Sequence, residues 1–146
     1  MIRHTMRALC AATLVIAPVA LTATPAHAVA SCRVNGIAVS STNVVGTAGS
    51  DYITCGSLAA GDQVNGLGGS DYIRIDGSVG GGAVVRGGTG QDYVLVIGSV
   101  GPMAQVLGEA DNDYLRVGPN AGAVNGGTGL DVCRVASGNP PVNCEG

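Results

Sequence analysis

Gly87–Leu95 reads GGTGQDYVL: a glycine-rich turn, an aspartate, then a short apolar strand. The same order of residues recurs at Gly46–Thr54 (GTAGSDYIT), Gly66–Arg74 (GLGGSDYIR), Gly108–Arg116 (GEADNDYLR) and Gly126–Arg134 (GGTGLDVCR). The five aspartates are Asp51, Asp71, Asp92, Asp113 and Asp131, separated by 20, 21, 21 and 18 residues. A fixed period in this range predicts a solenoid, in which each repeat forms one coil and stacks on the last. Stacking brings the five turns over one another and their carboxylates into a column.

The strand positions follow from aligning the turns on their aspartates. One residue on stand Tyr52, Tyr72, Tyr93, Tyr114 and Val132, a column that holds all four tyrosines of the chain. Two residues on come Ile53, Ile73, Val94, Leu115 and Cys133; four residues on come Cys55, Ile75, Val96, Val117 and Val135. Side chains alternate across a strand, so these two apolar columns share the inward face. The tyrosines then face outward, with Thr54, Arg74, Leu95, Arg116 and Arg134. Seven residues before each aspartate is a valine (Val44, Val64, Val85, Val106, Val124), read as the inner face of an opposing sheet. No segment has helical apolar periodicity. The expected architecture is all-β: a parallel β-solenoid of about five coils, 18–21 residues each, with two short strands per coil.

Residues 1–28 are read as a leader. Arg3, His4 and Arg7 give a basic start, Ala8 to Leu21 is apolar, and Ala26-His27-Ala28 is an A-x-A cleavage site. The apolar run is shorter than the ~20 residues of a membrane span, and Pro18 interrupts it. Export and cleavage after Ala28 are expected. The remaining chain divides into an N-terminal cap (29–43), the repeats (44–135) and a C-terminal cap (136–146). It keeps five arginines against ten acidic residues, a net charge of −5, so neither nucleic acid nor an anionic membrane is an expected partner. It has no His, Lys, Trp or Phe. The commonest general base and the Schiff-base amine are missing, so an enzyme is not expected.

Cys32, Cys55, Cys133 and Cys144 remain after cleavage, an even number in an exported domain, and read as two disulfides. Cys55 and Cys133 lie four coils apart, roughly 19 Å on the strand spacing, whereas a disulfide needs Cα atoms within ~7 Å. The coil geometry therefore predicts Cys32–Cys55, with Cys32 stacked one coil before its partner, and Cys133–Cys144, with the tail folding back through Asn139-Pro140-Pro141. One staple would close each end of otherwise open sheets.

Gly87–Val94 and Gly126–Cys133 match G-G-x-G-x-D-x-U, and on these motifs the chain resembles the RTX, or haemolysin-type, repeat family over roughly Val44 to Val135. The resemblance implies a parallel β-roll whose turns hold Ca²⁺ through the motif aspartate and the carbonyls of the glycine-rich loop. The chemistry is reasonable without it. Calcium takes six to eight oxygens from mixed sources, and glycine lets the backbone aim carbonyls at one point. The candidate ligands are Asp51, Asp71, Asp92, Asp111, Asp113 and Asp131, with Gly66, Gly68, Gly87, Thr89, Gly108, Gly126 and Thr128. Consecutive turns sharing an ion would hold up to about four ions. The repeats depart from the family in carrying one motif turn per coil, so a single calcium row is expected. The alternative is a metal-free solenoid in which the aspartates cap turn amides; Asp62 and Asp76 are expected as ordinary turn residues. The outward column has two readings as well. Tyr52, Tyr72, Tyr93 and Tyr114 with Arg74 and Arg116 form a candidate face for a cell-wall or extracellular polysaccharide, or they only stabilise the sheet.

Overall fold

The computed structural model describes Val29–Glu145; the leader expected at 1–28 lies outside the described residues. Twelve strands follow in order: β1 Ser31–Val34, β2 Ile37–Ser40, β3 Asn43–Val45, β4 Tyr52–Cys55, β5 Gln63–Gly68, β6 Tyr72–Ile75, β7 Val84–Thr89, β8 Tyr93–Val96, β9 Gln105–Ala110, β10 Tyr114–Asn120, β11 Ala123–Thr128 and β12 Val132–Gly138. They form two sheets, ordered β12-β10-β8-β6-β4-β1-β2 and β11-β9-β7-β5-β3. From β3 onward all pairs are parallel, the β-solenoid that the 20-residue period predicts.

The register repeats the sequence alignment. Tyr52 pairs with Tyr72, Tyr72 with Tyr93, Tyr93 with Tyr114 and Tyr114 with Val132. Ile53, Ile73, Val94, Leu115 and Cys133 are buried, as are Cys55, Ile75, Val96 and Val117; Val135, near the end of the stack, is half-buried. The five valines Val44, Val64, Val85, Val106 and Val124 face them from the other sheet and are fully buried. Small aliphatics suffice because the slab is only two side chains thick.

Each coil has a third side that the two-strand reading leaves out. Leu58, Val79, Val100 and Asn120 bridge in parallel, one residue per coil. Leu58, Val79 and Val100 are buried and close the core between the two sheets. Asn120 takes the position in the shortest repeat. Buried there, it donates from Nδ2 to Asn139 O at 3.0 Å and accepts from Gly122 N at 3.0 Å, so its polar atoms are satisfied. Asp62, expected as an ordinary turn residue, is fully buried instead. It accepts from Ala59 N at 2.8 Å and occupies the corner filled by Ala83 and Ala104 in the next two coils. Asp76 is an exposed turn residue paired with Arg74.

Both disulfides form with the expected partners, Cys32–Cys55 and Cys133–Cys144. The geometry at the first differs from the stacked-coil expectation. β1 runs antiparallel to β4, with Cys32 opposite Cys55, and turns back into β2 through Asn35-Gly36, both at positive φ. An Asn-Gly two-residue loop is a strong hairpin signal, and its local turn preference outweighs any continuation of the parallel stack. The hairpin covers the first edge of the larger sheet. At the other end the tail lies over β11, with Val142 N donating to Val124 O and Gly126 N to Val142 O, both at 3.0 Å. Replacing Cys133 and Cys144 with serine frees an 11-residue loop. The expected loss is about 3 kcal/mol on the loop-entropy relation, read as a lower urea midpoint that added reductant no longer shifts.

Candidate metal centre

Four of the five motif turns share one backbone device. The second and fourth residues of the turn have positive φ: Leu67 and Gly69, Gly88 and Gly90, Glu109 and Asp111, Gly127 and Gly129. Glycine at these places avoids the cost that Leu67, Glu109 and Asp111 bear. In the first turn, Thr47 and Gly49 do not take this conformation.

The aspartate after each turn points inward. Asp51, Asp71, Asp92, Asp113 and Asp131 are between 1% and 4% exposed. Each links two coils. The backbone N–H of Asp51 donates to Asp71 Oδ1 at 2.8 Å, Asp71 to Asp92 at 2.8 Å, Asp92 to Asp113 at 2.9 Å and Asp113 to Asp131 at 2.8 Å. The carbonyls of Asp51, Asp71, Asp92 and Asp113 accept from the residue after the next aspartate, as in Tyr72 N to Asp51 O at 2.8 Å. The carboxylates thus continue the inter-coil hydrogen bonding around the corner of the solenoid.

Only Oδ1 is used in this way. The buried Oδ2 atoms of Asp71, Asp92, Asp113 and Asp131 have no hydrogen-bond donor. Each lies against the Cα of the glycine that opens its own turn: Gly66, Gly87, Gly108 and Gly126. A side chain there would strike the carboxylate and also a carbonyl of the following layer, namely Gly87 O, Gly108 O, Gly126 O and Asn143 O in turn. Two acceptors therefore lie close to the same glycine Cα, four times over, with no hydrogen-bond donor to the carboxylate oxygen. A buried acceptor pair of this kind calls for a cation or a proton.

Burial raises the Asp71 carboxyl above its ordinary range, opposed by the Asp51 N–H and reinforced by the Asp51 charge. Burial likewise lifts Asp92 to about 6 and Asp113 to about 7, the neighbouring carboxylates adding to the rise. Asp51 goes the other way. Burial pushes it up, but the Thr47 N–H, the Asn35 amide and the Thr47 hydroxyl outweigh that and hold it below the ordinary value. These shifts give a pH test of the metal-free protein. The folded-state values lie above the unfolded value of 3.8. The unfolded chain therefore ionises first, and the stability these groups give below pH ~4 is lost as pH rises through about 6 to 7. In chelator, the melting temperature by circular dichroism should fall between pH 4 and 8. A flat or rising profile would contradict the buried row.

The expected ligands do not all meet. Asp71, Asp92, Asp113 and Asp131 come together with Gly66, Gly87, Gly108 and Gly126. Asp51 lines up with them, but its Oδ2 is satisfied by Thr47 N at 2.6 Å. Asp111 is exposed and caps the neighbouring turn, accepting from Gly90 N at 3.0 Å. Thr89 and Thr128 are exposed, and Gly68 is half-buried on the outer part of its turn. No three His, Cys, Asp or Glu side chains converge as a metal shell among the described residues. An ion here would draw much of its shell from backbone carbonyls.

Two residues outside the repeats complete the row. Asn35 donates from Nδ2 to Asp51 Oδ1 and accepts from Tyr52 N at 2.9 Å. Glu145 accepts from Asp131 N at 2.6 Å and returns its own N–H to Asp131 O at 2.7 Å, the part a sixth aspartate would play. Asn35 has a sequence signal as a hairpin residue; Glu145 has none, because its part depends on where the tail folds.

The tyrosines form a continuous stack, with ring centroids 5.2, 5.2 and 4.9 Å apart and planes within 10°. Arg74 Nε contacts Asp76 Oδ1 at 2.6 Å, and Arg86 Nη1 on the other sheet contacts Glu109 Oε1 at 3.2 Å. Comparison with protein-family models, curated proteins and solved structures gave no match.

Proposed function

We propose that this is a secreted calcium-binding β-solenoid, in which Ca²⁺ held along the aspartate row couples export to folding. The observation that carries the reading is the row of four buried Oδ2 atoms without a donor, each beside a backbone carbonyl. The residues that would hold the ions are Asp71, Asp92, Asp113 and Asp131 with the carbonyls of Gly87, Gly108 and Gly126. Bound calcium would supply the positive charge the row lacks, and Oδ1 would go on joining the coils. The resemblance of the turns to RTX repeats supports the same reading, and the two disulfides are compatible with an oxidising compartment. Inside the cell, where free calcium is scarce, the uncompensated row would keep the chain loosely folded. Extracellular modules bind calcium weakly, at ~10⁻⁴ to 10⁻³ M, and millimolar calcium outside the cell would close the stack. The role is structural, with no catalytic group assigned.

Calorimetric titration and metal analysis of the oxidised mature chain test this. More than one bound calcium per chain is expected. Absence of binding at several millimolar calcium would remove the reading.

A further inference from the structure

The outer face of the larger sheet carries the opposite charge from the rest of the molecule. Next to the tyrosine column runs a second outward column, in register across the strands: Arg33, Thr54, Arg74, Leu95, Arg116 and Arg134. It holds four of the five arginines beyond residue 28, in a segment whose net charge is −5. Arg33, Arg74 and Arg116 are two strands apart, about 9.6 Å on the strand spacing, and Arg134 is one strand further. Arg74 is partly neutralised by Asp76. Arg116 and Arg134 are exposed, and no hydrogen bond or ion pair engages either guanidinium among the described residues.

The tyrosine stack limits what such a face can hold. In the middle of the column the rings cover one another, so Tyr72 and Tyr93 offer edges and hydroxyls rather than open faces. Tyr114 differs. The fifth coil has Val132 in register with it, so Tyr114 has a ring partner on one side only. Beside it lies an open hollow of about 560 Å³, lined by Tyr114, Arg116, Val117, Arg134, Val135 and Ala136. A second hollow, of about 450 Å³, adjoins across Arg116 on the Leu95 side.

We infer that this end of the sheet binds an acidic polysaccharide, with Arg116 and Arg134 gripping a sugar carboxylate and Tyr114 packing against the sugar ring. Guanidinium forks match the planar, two-oxygen geometry of a carboxylate. A glycan with a carboxylate on every second sugar has widely spaced charges, in keeping with the ~10 Å steps from Arg33 to Arg74 to Arg116, while Arg116 and Arg134 on adjacent strands are close enough to share one carboxylate. Duplex DNA, with a charge every ~1.7 Å, does not match it. Tyr114, Arg116 and Arg134 point outward while the aspartates are buried, so the inference does not rest on calcium binding.

The test is affinity electrophoresis and calorimetry of the oxidised mature chain in millimolar calcium, with hyaluronan as the acidic probe and dextran and duplex DNA as comparisons. The native protein is expected to bind hyaluronan and neither comparison polymer. Arg116→Gln/Arg134→Gln should weaken binding at least tenfold with the native melting temperature. Tyr114→Leu should weaken it severalfold, and Arg86→Gln on the opposite sheet should leave it unchanged. Absence of hyaluronan binding, equal binding by Arg116→Gln/Arg134→Gln, or tighter binding to dextran or DNA would each overturn the inference.

Discussion

Chelating calcium should lower the melting temperature of the oxidised chain from Val29 onward by about 20 °C relative to a millimolar-calcium buffer. The size follows from one ion at each of the four Oδ2 atoms that lack a donor. At an affinity of ~10⁻⁴ M and about 1 mM free calcium, each contributes about 1.4 kcal/mol, or about 5–6 kcal/mol together. An unfolding entropy of about 2.1 cal/mol/K per residue converts this to the stated shift for a chain of this length. The effect should be largest above pH 7, where burial no longer keeps Asp92 and Asp113 protonated. Below pH 5 protons compete for the same oxygens and the calcium effect should shrink.

Asp92→Asn/Asp113→Asn separates the ion from the fold. The Asn Oδ1 still accepts the N–H of the preceding aspartate position, and Nδ2 places a donor where Oδ2 had none. This variant should melt higher than the native chain in chelator and lose about half of the calcium response. If it loses none, the ions are elsewhere. Equal melting of the native chain with and without calcium would remove the calcium row altogether.

The second large effect is steric. Gly66→Ala should cost about 3 kcal/mol, the upper end of the usual cost of overpacking. The added methyl would meet the buried Asp71 carboxylate on one side and the Gly87 carbonyl on the other, and neither has room to withdraw. The backbone at Gly66 is not in the left-handed region, so conformational strain adds nothing. Gly49→Ala is the control within the same motif. Its methyl would lie 3.9 Å from the Thr47 hydroxyl and touch nothing closer, so the change should stay within about 0.5 kcal/mol. Urea unfolding of the two variants measures the difference. Equal stability would mean that Oδ2 does not sit over the glycine.

Most of the architecture is legible because a solenoid repeats one local solution. The Asp-to-Asp period set the coil, the alternation of Ile53, Tyr52 and their counterparts set the inner and outer faces, and the coil spacing excluded Cys55–Cys133 and favoured the pairing that forms. Each of these depends on residues close in sequence or at a constant interval, which is information a single chain carries. The ends break the interval. That β1 turns antiparallel onto β4, and that Glu145 stands in for a sixth aspartate, follows from where non-repeating segments meet the finished stack. The separation of Asp51 from Asp71, Asp92, Asp113 and Asp131 has the same origin. All five share a motif, yet one gains donors from Thr47 and Asn35 and four keep an unpartnered oxygen. Hydrogen-bond supply at a buried atom is set by what packs against it, so the sequence alone determined the row of carboxylates, and only the tertiary structure decided which of them keep an oxygen without a donor.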